Sequence, residues 1–308
     1  MRPAIQQPQD VTGLELVRRK LAQTERIRPV SAVLTRTLRV LEDPRSSASD
    51  LAKVISEDEV VTGKLLSVVN SAFYGVSRRV TVVSQAVALL GYQTVRAIVI
   101  GATAFRMGES RDPEVRACRE EIWQHSMDCA AWSKSVATKL GYRFAEEAFV
   151  AGLLHDIGKL VLLTVLPEQY VPVLHQEVNT PDETMEFERQ ALQTDHLAAG
   201  GLIAERWSLP MRLRTCITQH HGWPIELPDA QSDKLLGALI AVVRCGNAAS
   251  RLYPLHHDGA QTTPAVALRT HEMEQEILTA FAEEAGRLVK SLDANHDGVT
   301  GARRPHVV

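Results

Sequence analysis

The run Ala148-Phe149-Val150-Ala151-Gly152-Leu153-Leu154-His155-Asp156-Ile157-Gly158-Lys159-Leu160 decides how the chain is read. Its apolar residues are continuous enough for a buried helix, yet an adjacent His-Asp pair stands in the middle. Two neighbouring ionisable side chains in such a run are costly unless they are paired or hold a cation. A neutral imidazole with a carboxylate suits zinc, iron or manganese. Lys159 follows His155 at i+4, so it shares that face and is placed to meet an anion.

Working outward, Glu121 and His125 are also spaced i, i+4. His196, the pair His220-His221 and Asn247 follow downstream. Helices that deliver inward-facing His and carboxylate groups are how bundles build metal sites. The bland alternative is a network in which Asp156 fixes the imidazoles by hydrogen bonds alone.

The flanking sequence predicts helices throughout. Strand-like alternation is nearly absent, and the Asp-Gly pairs at 258 and 297 lie in polar stretches. Ser47 with Asp50 makes a capping-box pattern ahead of the stripe Leu51, Val54, Ile55. A helix from near Asp58 to near Gly75 carries Val61, Leu65, Val68 and Val69. The next carries Val83, Val87 and Leu90 and stops at Gly91. Residues 93–106 are nearly all apolar and so central. A polar break follows at 108–115. Further helices are predicted over about 116–140, 145–165, 183–192, 195–207, 210–220, 233–252 and 269–291, with loops at 225–232 and 254–267.

Composition narrows the function classes. Of 308 residues, 45% are hydrophobic and 23% charged, which excludes a disordered chain or a fibre. Lys plus Arg is 34 against 37 Asp plus Glu, a net charge of -3, so a strongly basic nucleic-acid binder is disfavoured. Aromatics at 5% argue against a base-stacking platform. Cys118, Cys129, Cys216 and Cys245 form no C-x-x-C pair, which predicts reduced thiols and a cytoplasmic address. The start MRPAIQQPQD has no apolar core of a signal peptide. Apolar stretches such as 97–105 fall short of a ~20-residue span, so no membrane partner is expected.

The order His125, His155-Asp156, then Asn247 resembles that of HD-domain phosphohydrolases. Residues from about 28 to 224 resemble more specifically an HDOD domain, the HD-related output domain of bacterial signalling proteins. The runs that carry this are Asp43-Pro44 through Asp50-Leu51-Ala52, Val69-Asn70-Ser71-Ala72-Phe73-Tyr74-Gly75, Ala86 with Leu90-Gly91, Trp123-x-His125-Ser126, Ala151 to Gly158, Trp207-x-Leu209-Pro210, and His220-His221. The N-terminal runs discriminate, since HD alone is a two-residue signal.

The resemblance implies an all-α fold, a compact multi-helix array. Its expected parts are a flexible arm at 1–12, an N-terminal helical subdomain at 13–110, an HD-like subdomain at 115–252, a C-terminal helix at 269–291 and a flexible tail at 292–308. It also implies a metal centre. Asp156 would bridge, His196, His220 and His221 would complete one subsite, and His125 with His155 a second. Lys159 would hold a phosphate, and Glu121 and Asn247 would be weak ligands. The cofactor would be a divalent transition metal, iron, manganese or zinc, and the centre could be dinuclear.

Two departures bear on activity. Asn247 stands where catalytic HD proteins place an aspartate. Gly222-Trp223-Pro224 replaces the Gly-Tyr-Pro signature of the related cyclic-di-GMP phosphodiesterases. The expected function is therefore a non-hydrolytic signal-transduction regulator that works through a signalling protein in trans or a nucleotide ligand. A metal-dependent phosphohydrolase is the alternative. A nucleic-acid-binding regulator ranks third, with Arg18-Arg19-Lys20 and Arg78-Arg79 read as solvated faces. Asn70-Ser71 reads as a helix cap. His175, His256, His257, His271, His296 and His306 read as surface residues. Asp293 to Gly298 opens like a calcium loop, but Arg304 stands where the closing Glu is needed.

Overall fold

The computed structural model describes residues 13–23, 36, 37, 39, 40, 43, 45–71, 74–106, 110–142, 144–176, 181–221 and 234–252. Among them are twelve helices and no strand. The fold is all-α, as the 3.6-residue periodicity predicts. The expected arm at 1–12, the loops at 225–232 and 254–267, the helix at 269–291 and the tail lie outside the described residues.

The first helices start where polar caps satisfy backbone N–H groups that lack an intrahelical partner. α1 spans Gly13–Gln23 and α2 Ala48–Ser56. Ser47 Oγ accepts from the Asp50 N–H at 3.2 Å, and the Asp50 carboxylate accepts from the Ser47 N–H at 3.1 Å. That is the reciprocal box the sequence predicts. α3, Glu59–Val69, is capped by Asp58, which accepts from the Val60 and Val61 N–H groups at 3.1 Å each. At its far end the Asn70 amide donates to the Leu66 and Val80 carbonyls at 2.8 and 2.7 Å. Its oxygen accepts from the Val80 N–H at 2.7 Å. Asn70 is thus a clamp that ties the following segment to the helix end.

α4 runs Val83–Arg106 through a kink at Gly91, whose φ of 74° is open to glycine and strained for other residues. The chain bends by 114° between Val83–Tyr92 and Thr94–Ala102, so the expected stop at Gly91 is present and a second helical segment follows it. α5 is Pro113–Lys139. Pro113, read from sequence as part of a break, begins this helix, because the first turn needs no N–H from it. α6 (Ala145–Leu154) and α7 (Ile157–Val165) correct the single helix expected over 145–165. The chain turns at His155-Asp156. α8 (Pro167–Leu174) was not expected at all, followed by α9 (Pro181–Leu192), α10 (His196–Arg206), α11 (Met211–Gln219) and α12 (Lys234–Leu252).

α5 packs against both α6 and α12, α7 against α10, and α4 against α2, α3 and α6. One hydrophobic cluster runs from Val17 through Leu65, Ile98, Phe149 and Leu163 to Val243, so both halves share a core. The stretch Ala145–Val165 has a mean hydropathy of 1.7, long and apolar enough by composition to cross a membrane. This corrects the expectation that every apolar run is too short. Its most apolar window is 94% buried within the fold, which makes the α6–α7 pair a core element. All four cysteines are buried free thiols.

Candidate metal centre

The break between α6 and α7 is what makes the centre. In a continuous helix, neighbouring side chains diverge by about 100°. At the turn, His155 and Asp156 serve one place. His155 Nε2 lies 3.3 Å from Asp156 Oδ2, and both residues are fully buried. Asp156 is the hub. Its Oδ2 also lies 3.5 Å from His125 Nε2, from the middle of α5. Its Oδ1 faces His196 Nε2 at 3.5 Å, from the first turn of α10, and His220 Nε2 at 3.3 Å, from the end of α11. His221 Nε2 is 3.2 Å from His196 Nε2. The donor atoms form two groups that share Asp156: one with His196, His220 and His221, the other with His125 and His155.

The outer ring nitrogens show which lone pairs are free. His155 Nδ1 contacts the Gly152 carbonyl at 2.7 Å, and His220 Nδ1 the Ile217 carbonyl at 3.0 Å. A carbonyl only accepts, so both Nδ1 atoms carry a proton, which leaves the Nε2 lone pair free on neutral His220 and on His155 once that ring is neutral. Ser250 Oγ donates to the Asn247 carbonyl at 2.9 Å and is free to accept from His125 Nδ1 at 3.4 Å. His196 Nδ1 meets Glu188 Oε2 at 2.6 Å. Each of these four rings is thus turned with Nε2 toward Asp156, as metal-binding imidazoles are when an outer acceptor fixes the tautomer.

Glu188 and Tyr170 were missed by the sequence reading. Glu188 is completely buried on α9. It accepts from Tyr170 Oη at 2.6 Å and from the His196 N–H at 2.8 Å, besides the imidazole. One signal was available: Met185, Glu188 and Leu192 are spaced i, i+3, i+7, which puts a carboxylate in an apolar stripe.

Four side-chain atoms here are buried with no hydrogen-bond partner: His125 Nε2, His155 Nε2, Asp156 Oδ1 and His220 Nε2. Native interiors rarely leave such groups unmatched. Lone pairs from imidazole and carboxylate, orphaned and converging, are the donor set a divalent transition metal takes.

The electrostatics agree for most of the site. Burial pushes His220 down to about 3 and holds His125 and His221 well below the usual imidazole value, so these rings are neutral. Burial alone would raise Asp156, but His155 and Lys159 beside it hold its carboxyl well below the usual range. Burial likewise opposes ionisation of Glu188, and the adjoining His196 overcomes it. His155 differs. Burial disfavours its proton, yet Asp156 and then Cys129 outweigh that and lift it to about 10. A cation bound there would have to displace that proton.

Of the residues singled out from sequence, six converge on one another: His125, His155, Asp156, His196, His220 and His221. Lys159 Nζ lies 2.6 Å from Asp156 Oδ2. Asn247 is buried on α12, one serine away from His125. Glu121 is exposed, one turn before His125 on α5, and belongs to neither donor group. It lines a cavity of about 260 Å³ whose walls also include His125, Asp156, Lys159 and Arg251.

Comparison with known proteins follows the same lines. The HDOD domain family matches residues 27–223. A curated relative, an uncharacterized protein of Treponema pallidum (strain Nichols), is 27% identical over 191 residues. That is 60% of this chain and 36% of the relative, so the chain spans about a third of that protein. An HDOD domain protein of unknown function from Geobacter sulfurreducens superposes with a TM-score of 0.59 at 23% identity, covering 94% of this chain and 96% of the other. A Shewanella amazonensis SB2B protein, provisionally described as a metal-dependent phosphohydrolase, superposes with a TM-score of 0.57 at 19% identity, covering 90% and 96%. At such identities the two structures show a shared fold.

Proposed function

This chain belongs to the HDOD family, and from that premise we propose that it is a signalling regulator whose His/Asp centre binds a divalent transition metal for a sensory or structural purpose. The observation that carries this is the set of four orphaned, buried donor atoms that meet at the centre, Asp156 Oδ1 and the Nε2 atoms of His125, His155 and His220. His196, His220, His221 and Asp156 Oδ1 would hold the metal in one subsite. A bound cation would supply Lewis acidity toward a phosphoryl oxygen.

The second subsite is the reason for favouring regulation over hydrolysis. It offers His125, His155 and Asp156 Oδ2, but Lys159 Nζ already lies 2.6 Å from that same oxygen. Asn247 brings an uncharged amide in place of a carboxylate. A cationic neighbour and a missing negative charge both lower affinity for a second cation. In-line phosphoryl displacement commonly relies on two metals. The phosphohydrolase reading keeps one support: the cavity that reaches Asp156, Lys159 and His125 from the surface.

Elemental analysis after purification and after reconstitution with iron, manganese or zinc tests the proposal. About one equivalent per chain is expected in the wild type, rising in Asn247→Asp as the weaker subsite gains a carboxylate. No metal under any condition removes both the sensor and the enzyme readings. Turnover of a chromogenic phosphate ester by the loaded protein would favour the enzyme.

Glu188→Gln tests the outer support. The amide cannot accept both from Tyr170 and from His196 with the same charge, so the imidazole is less basic and less well held. Metal affinity, measured by competition with a chromophoric chelator, is expected to fall about 10–100-fold. Unchanged affinity would show that His196 is not a ligand.

A further inference from the structure

The end of α8 brings a second histidine onto a sulfur, outside both donor groups of the His/Asp centre. His175 is the residue that closes α8. Its Nε2 lies 3.6 Å from Cys118 Sγ on α5. Its Nδ1 faces Glu114 Oε1 at 3.5 Å, one turn before Cys118 on the same helix. A carboxylate beside Nδ1 favours the tautomer with the proton there, which turns the Nε2 lone pair toward the sulfur. The sequence reading left His175 as a surface residue. It is half exposed, but the fold gives both of its nitrogens a partner.

Two chemistries use a thiol beside an imidazole, and the surroundings decide between them. A nucleophilic thiol needs cationic neighbours that favour the thiolate. Here burial pushes the Cys118 thiol up, and Glu121, Glu114 and Asp112 push it further. Cys118 is also only 1% exposed. A field that opposes a bare thiolate attracts a cation. The spacing agrees with a cation as well. Zinc–sulfur and zinc–nitrogen bonds of about 2.3 and 2.0–2.1 Å at a tetrahedral angle hold the two donors about 3.6 Å apart. The pair therefore already stands at the separation of two zinc ligands. Glu114 stands where a zinc-bound imidazole has its outer carboxylate. Glu121 offers a third donor. It follows Cys118 at i+3, so it shares that face of α5, and its side chain is exposed and able to turn. Cys118 and Glu121 both line the cavity beside Asp156. A thiolate with an imidazole selects zinc over magnesium, calcium and manganese.

We propose that Cys118, His175 and Glu121 form a second metal site, a zinc site separate from the His/Asp centre, with Glu114 as the positioning residue for His175. Three protein ligands leave a fourth position for water. The ion would fasten the end of α8 to α5 in the wall of the cavity. The site stands independently of the regulator reading. His175 and Glu121 are exposed, so the ion exchanges with solvent. It fills while free zinc is present and empties on gel filtration, and metal retained afterwards counts the buried centre alone.

Cobalt(II), which takes the place of zinc and absorbs strongly when a thiolate binds it, is the probe. Cobalt(II) added to the full-length protein should raise a thiolate-to-metal charge-transfer band that zinc abolishes. The band should persist in Asp156→Asn and be absent in Cys118→Ser, with the helical circular dichroism of Cys118→Ser unchanged. His175→Gln, a surface change that leaves the thiol in place, should weaken cobalt binding about tenfold or more. Glu114→Gln should weaken it about tenfold with the band position unchanged. No band in the wild type, or a band that survives in Cys118→Ser, overturns the proposal. Loss of the band in Asp156→Asn would assign the thiolate to the His/Asp centre and overturn it too. Undiminished binding in His175→Gln does the same, whatever the fate of Cys118→Ser.

Discussion

Asp156→Asn should bind no metal at either subsite and should lose the stabilisation that metal gives the wild type. Asp156 is the one carboxylate shared by both donor groups, and each of its oxygens faces two imidazole nitrogens. Replacing it removes the only negative charge in the ligand set, while Glu188 remains behind His196 as an outer support. For the wild type, metal at a hundred times its dissociation constant adds about 2.7 kcal/mol to unfolding free energy. At about 2–4 °C per kcal/mol for a chain of this order, chelation should lower the wild-type midpoint by roughly 5–10 °C. The variant's midpoint should ignore the chelator.

The chelated proteins also differ, with a sign that can be read from the charges. Lys159 is buried with its ammonium on Asp156. Removing one partner of a buried pair commonly costs about 3–5 kcal/mol, because the other charge is left without compensation. The asparagine oxygen can still accept from Lys159, so the lower end applies. A chelated variant as stable as the chelated wild type would show that the ion pair contributes nothing. A variant that still takes up metal would put the centre elsewhere.

Residue chemistry decided which parts of this arrangement could be read in advance. The helices of the first half announced themselves through Ser47, Asp50 and Asp58, whose short side chains do at the helix ends what their composition implies. His155-Asp156 was legible because two ionisable groups stand out in an apolar run. The turn at that pair was not legible. Apolar residues continue on both sides, and periodicity cannot distinguish one buried helix from two. α8 carries Pro167 and Pro172, and proline in a helix interior removes a backbone donor and crowds the preceding turn, so its pattern is a weak helix signal. In the structure Pro167 occupies the first turn, where no N–H is needed, and Pro172 is tolerated within the helix. With α8 missed, Tyr170 had no place, and Glu188 lost the partner that marks it as part of the centre. The cavity beside the centre was invisible for a different reason: α5, α7, α8, α9 and α12 line it together, which no local pattern records.

Gly158→Ala is the substitution that should damage fold and centre at once. Gly158 lies two residues after Asp156, where α7 crosses α10. A methyl group there would stand 1.8 Å from the His196 carbonyl oxygen and 2.6 Å from the Gly200 nitrogen. Both obstacles are backbone, so no side-chain rotation relieves the contact and the two helices must part. Overpacking of this kind costs about 1–3 kcal/mol, and more where backbone has to move. The midpoint of unfolding should fall by about 5–10 °C. The same displacement carries His196 away from Asp156, 3.5 Å away at present, so metal affinity should drop as well.

Two controls separate this mechanism from a general intolerance of alanine. At Gly201, on α10, the added methyl meets only the Thr218 methyl at 3.0 Å, a side chain that can shift, so the loss should be small. At Gly63, on α3, it meets nothing within 4 Å. There alanine should raise stability by about 0.5–1 kcal/mol through helix propensity alone. A Gly158→Ala protein as stable as the Gly201→Ala protein, with its metal intact, would mean that α7 and α10 do not cross backbone to backbone at the centre.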